Sequence, residues 1–167
     1  MNKKHILRKR IKSIRQTLDD INGNEVQISY KPIQIFPDKK CYPIEFQIFM
    51  EEIGRINIVT NDYQLIHLNC PAALVSNNKP EDDWETTFAS YGLYKKDESY
   101  NGVIAEKIRI IGWDIDNNEY YFDASKIPFQ FHDYHDSSKD KNIVEWFVQF
   151  INVHLDYIMF SEKFRLK

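Results

Sequence analysis

A chain of 167 residues with 43% hydrophobic and 14% aromatic content has the size of one domain and can fill a sizeable core. Five glycines and six prolines, with no repeating period and no Ser, Gln or Pro tract, exclude a disordered, solenoid or linker-rich chain. The net charge of -3 is unevenly spread: residues 1–20 hold seven basic side chains against two acidic ones, +5, so the rest carries -8. An acidic body argues against nucleic acid as the main partner.

The opening MNKKHILRKRIKSIRQ is basic, but no apolar run or small-residue cleavage site follows it. No later stretch approaches the roughly 18 apolar residues of a membrane span, so a cytoplasmic protein without membrane contact is expected. Two cysteines, Cys41 and Cys70, are too few for a secreted disulfide framework and are expected as free, buried thiols.

Leu7, Ile11, Ile14, Leu18 and Ile21 recur at steps of four and three, which predicts an amphipathic N-terminal helix over residues 1–22. Asn22-Gly23-Asn24 should end it, because Gly and Asn tolerate the left-handed conformation past a helix end. Its basic side chains could meet phosphate or anionic lipid. The simpler expectation is a helix docked by its apolar stripe, with its charges met by the acidic body. Val26, Ile28 and Tyr30 alternate with polar residues and precede Pro32, as in an edge strand.

In CYPIEFQIFMEEIGRINIV, Pro43 suits a first helical turn, Phe46, Phe49, Met50 and Ile53 share a face, and Gly54 stands where a helix stops. Ile56 to Val59, then Tyr63 to Leu68 after Asn61-Asp62, read as strands. Residues 79–95 begin with an acidic turn and space Trp84, Phe88 and Tyr91 helically, which predicts a short helix. IRIIGWDIDNNEYYFD reads as a hairpin turning at residues 116–119. A last helix should start at Asn142 as cap and present Val144, Phe147, Ile151, Leu155 and Ile158 as one stripe. This order does not alternate regularly enough for a parallel sheet, so a single α+β domain, a mostly antiparallel sheet packed with helices, is expected.

The spacing Pro43, Phe46, Phe49, Met50, Gly54 resembles the signature helix of the SUKH superfamily of Smi/Knr-like proteins. Strands after the glycine, the aromatic segment from Trp84 to Tyr91, the hairpin and the aromatic last helix follow in the order of that family. The resemblance covers residues 37–160 and leaves the N-terminal helix as an addition. It implies a non-enzymatic binding protein, of the kind in which many members are immunity proteins that neutralise toxins, often nucleases, of competing bacteria.

Candidate chemistry in the residues is sparse. His132, Asp133, His135 and Asp136 in FHDYHDSSKD could offer metal ligands, but they lack a second cluster and read as a solvated loop. Asp114, Asp116 and Asn118 echo a calcium loop, yet Glu119 stands at the glycine position and Ser125 at the bidentate Glu position. Cys70, with His67 three residues earlier, lacks the setting of a nucleophile, and all five glycines are isolated. No catalytic, cofactor or metal site is expected.

The best candidate for a partner surface is acidic: Glu81, Asp82, Asp83 and Glu85, with Asp114, Asp116 and Glu119 of the hairpin, and Asp97 and Glu98 between them. Such carboxylates would steer a basic toxin domain, with Trp84 and Tyr120 as aromatic anchors. The alternatives are a scaffold or regulatory module docking an endogenous protein, and a small hydrolase using His67, His132 or His135.

Overall fold

The computed structural model describes residues 2–60, 63–73, 97–100, 102–116, 118–133 and 142–159. The helix expected over residues 79–95 lies outside them.

Helix α1 (Lys3–Ile21) opens at Asn2, whose side chain accepts from the Lys4 N–H, and buries Ile11, Ile14, Leu18 and Ile21. The four-three spacing therefore marks its inner face. Its end differs from expectation. Gly23 does not take a positive φ, and Asn22 is extended with its N–H on the Leu18 carbonyl. The Asn22 side chain accepts from Ile28 N–H at 2.8 Å, and Gly23 N–H donates to the Val26 carbonyl at 2.8 Å. Both partners belong to strand β1 (Val26–Lys31) and point away from its neighbour, so this turn occupies part of an edge that could otherwise recruit another strand.

A single 3-10 turn, Lys39–Cys41, leads into helix α2 (Ile44–Glu52), which begins directly after Pro43. Phe46, Phe49, Met50 and Ile53 are buried as expected; Ile48 and Glu52 are buried too. Gly54 ends α2 with φ +73° and donates its N–H to the Phe49 carbonyl at 3.0 Å. A Cβ there would stand 2.0 Å from the Lys31 carbonyl oxygen and 2.7 Å from Pro32 Cα. The helix stop and the close approach of β1 both require glycine.

Strands β2 (Arg55–Thr60) and β3 (Tyr63–Ala73) follow, then the short pair β4 (Ser99–Tyr100) and β5 (Val103–Ile104). Strands β6 (Ile108–Asp114) and β7 (Glu119–Asp123) form the expected hairpin, β8 (Gln130–His132) follows, and helix α3 (Ile143–Met159) closes the order. Asn142 caps α3 through its side chain, which accepts from Val144 N–H at 2.8 Å. Strand β3 runs beyond the expected Leu68. Its pairing with β6 is interrupted between Leu68 and Ala72, where Pro71 has no N–H to give.

The main sheet has the order β1-β2-β3-β6-β7-β8, every neighbour antiparallel. The expected antiparallel α+β fold is the observed one. Val26 and Ile28, Ile56 and Ile58, Ile66 and Leu68, Phe122 and Phe131 share one core with the three described helices. The residues between them, Ser29, Arg55, Asn57, His67, Trp113 and Tyr121, therefore belong to the opposite face. The N-terminal helix is not peripheral, because Ile11 and Leu18 are 0% exposed.

Gly54→Ala is expected to cost about 2–3 kcal/mol, since it adds strain at a positive φ to a backbone collision. Urea unfolding should show a lower midpoint with an unchanged slope, and a wild-type midpoint would refute the account of this turn.

Candidate functional site

Of the expected partner surface, Glu81, Asp82, Asp83, Trp84 and Glu85 lie outside the described residues. The hairpin is described, and there the carboxylates divide. Asp114, the last residue of β6, is buried, and its two oxygens are occupied from within the turn. Oδ1 accepts from Asp116 N–H at 2.9 Å and Asn118 N–H at 3.0 Å; Oδ2 accepts from Asn118 Nδ2 at 3.1 Å and the Tyr120 hydroxyl at 2.6 Å. Aspartate side chains favour this capture of N–H groups two to four residues on. These oxygens hold the turn shut, which also accounts for the calcium-like spacing.

Tyr120 is 1% exposed, with its ring 4.4 Å from that of Trp146 on α3. Burial and the bond to Asp114 push its hydroxyl far up, so it stays a donor. Asp114 and Tyr120 are thus corrected from contact residues to the fixture beneath the turn, because neither presents a surface to a partner. Asp116 is exposed and Glu119 half-buried. Asp97 and Glu98 are exposed elsewhere.

The basic helix turns its guanidinium groups inward. Arg8 reaches Glu51 and Glu52 of α2 with both terminal nitrogens at 2.5 Å. Arg15 lies 3.7 Å from the Glu52 carboxylate and donates to its carbonyl at 3.2 Å. Arg10 grips Glu145 of α3 with both nitrogens, and Lys39 pairs with Glu51 at 2.8 Å. Lys3 and the three arginines of α1 thus meet carboxylates of the acidic body, in the direction of the simpler reading of that helix. Burial alone would raise the Glu51 carboxyl, but hydrogen bonds from Lys39 and Arg8 hold it below the usual range; Arg10 does the same for Glu145.

His67 and Cys70 fall on opposite faces of β3: Cys70 packs against the core, while His67 lies on the outer face, its ring 4.6 Å from that of Trp113. Both cysteines are free but half-buried, where full burial was expected. His132 stacks flat on Tyr121 at 4.9 Å; His135 and Asp136 lie outside the described residues. Among the described residues no group of three or more His, Cys, Asp or Glu side chains converges as metal ligands.

The outer face also carries a cleft of about 190 Å³ where the end of β1 and the start of β2 lie beside the middle of β3, lined by Ser29, Lys31, Arg55, Asn57 and His67. No residue pattern in the sequence marked it, because its members lie on three strands and only the register aligns them. Burial and the charge of Arg55 lower the His67 imidazole to about 4, so it is neutral at physiological pH.

No family model, no curated protein and no solved structure matches the chain. No helix among the described residues is long and apolar enough to cross a membrane.

Two outcomes follow from this geometry. Tyr120→Phe removes a donor from a buried carboxylate and should cost about 2 kcal/mol in urea unfolding, whereas wild-type stability would show that the bond contributes nothing. The second concerns pH. Above 6.5, the ordinary value, His67 is neutral folded and unfolded, and stability is complete. As pH falls from there towards about 4, the unfolded chain takes up a proton that the folded protein refuses, and stability declines. Burial lowers His132 and His154 in the same sense. His67→Gln should therefore reduce, without abolishing, the fall in unfolding midpoint across this window; an unaltered slope would contradict the assignment.

Proposed function

We propose that the chain is a non-enzymatic protein-binding domain of the cytoplasm, an immunity-type protein that neutralises a bacterial toxin, in one form a nuclease, by occupying its surface. The observation that carries this reading is the hairpin turn. Asp114 takes four hydrogen bonds and fixes the backbone, leaving Asp116 exposed beside Glu119 at a rigid tip. A rigid surface loses little entropy on binding, and its negative charge favours encounter with a basic partner. The resemblance to the SUKH superfamily supports the same conclusion. The stretch that resembles its proline-to-glycine helix forms α2 here, which begins after Pro43 and ends at Gly54. The engagement of Arg8, Arg10 and Arg15 within the fold also removes the strongest reason to assign α1 to an external anion.

The test is binding of the purified chain to toxin domains encoded beside its gene, with Asp116→Asn/Glu119→Gln as the variant. Association of a basic toxin should slow several-fold at low salt, and the difference should vanish at high salt, where charges beyond the Debye length of about 3 Å at 1 M are screened. If none of the neighbouring toxins binds or is inhibited, the proposal fails.

A further inference from the structure

The cleft on the outer face of the sheet has a composition at odds with the net negative chain. Its register explains why. Lys31 stands opposite Arg55 in the β1–β2 ladder, and Ser29 stands opposite Asn57, which in turn faces His67 in the β2–β3 ladder. Two adjacent rows of the sheet therefore bring an ammonium, a guanidinium, a hydroxyl, an amide and an imidazole to one concavity. Alternate residues of a strand share a face, so the two core-facing members of the same stretch, Tyr30 and Ile56, direct their side chains elsewhere. Tyr30 indeed donates its hydroxyl to Asp19 of α1 at 2.8 Å. Among the described residues that line the cleft, no side chain is acidic.

We propose that this cleft binds a phosphate group, held by Lys31 and Arg55 and bounded by Ser29, Asn57 and His67. Guanidinium presents paired N–H donors that match two oxygens of a phosphate, and ammonium adds a compact charge that can follow it. The hydroxyl of Ser29 and the amide of Asn57 supply neutral donors beside them. The volume of about 190 Å³ exceeds by several times the roughly 30 Å³ share of one water, so an oxyanion and some of its hydration fit together. His67 forms the floor at 1% exposure. Unprotonated at physiological pH, it can donate to a phosphate oxygen from one ring nitrogen, and a dianion close by would draw a proton onto the other. This proposal is independent of the toxin-binding reading and uses a different face from the acidic turn.

The experiment is titration of the whole chain with inorganic phosphate at constant ionic strength, following the His67 ring by NMR. The expected result is a saturable shift accompanied by a rise in the His67 pKa. Lys31→Gln/Arg55→Gln should bind at least about tenfold more weakly, since it removes both charge-assisted contacts. Because Lys31 is exposed, Lys31→Gln alone retains the fold and should still weaken binding several-fold. A linear, unsaturating response, or equal affinity in both variants, overturns the proposal. A phosphoserine peptide and its unphosphorylated form make the second arm. If the phosphopeptide binds more tightly than inorganic phosphate, the group belongs to a modified partner protein; if it binds no more tightly, the ligand is a free phosphate compound.

Discussion

The arrangement of helices depends on a charge placed where helix electrostatics oppose it. Glu51 and Glu52 occupy the last turn of α2, which has no basic residue of its own, and a helix C-terminus is the end that repels anions. Glu52 is in addition only 6% exposed. Two carboxylates in that position demand cations from outside the helix, and α1 brings them. Arg8 bridges both carboxylates, Arg15 adds its guanidinium to Glu52, and Lys39 completes Glu51. An exposed pair of this kind contributes little to stability, but a buried carboxylate without a cation costs several kcal/mol, so the pairing sets where α1 can lie. Ile11, Ile14, Leu18 and Ile21 then fall against the core, and the uneven charge of the chain becomes an internal complement between its first helix and its body.

Much of this was legible in the sequence because period and alternation are local properties. The stripe of α1, the inward residues of β1 and β2, the hairpin and the Asn142 cap all follow from neighbours within a turn or a pleat. What escaped depends on contacts distant in the chain. Glu52 carries no local mark of burial; its partners lie 37 and 44 residues away. The same holds for Tyr120, whose aromatic, polar character suits an interface anchor as well as a buried donor until Trp146 and Asp114 are seen against it. Gly23 shows the reverse error. An Asn-Gly pair allows a left-handed helix end, but here the Asn22 side chain finds the β1 N–H, and an extended backbone serves that bond better.

The two faces of the sheet impose different physics on its side chains. One face packs against the three described helices and is mostly apolar, with Asp114 and Thr60 buried on it. The other carries Arg55, Asn57 and His67 towards β1 and β2, and buried Ile110, Trp113 and Tyr121 on β6 and β7. A slip of β1 by one residue against β2 would turn Ser29 and Lys31 to the core face and Val26 and Ile28 away from it. The register that secures the core thus also builds the cleft, and the phosphate site proposed there is a by-product of the same hydrophobic pattern that the sequence announces.

The same alternation bears on the hydrolase alternative. A nucleophile of Cys70 with His67 as base requires both on one side of β3, and they are on opposite sides. As a general base His67 is weak, because a group that titrates near 4 holds a proton poorly at neutral pH, and the nearby charge of Arg55 reinforces that. His132 has its ring flat against Tyr121 and is lowered by burial. The Tyr120 hydroxyl is held protonated by burial and by the bond that closes the turn. Asp116, in contrast, stands exposed on the turn that the Asp114 carboxylate closes.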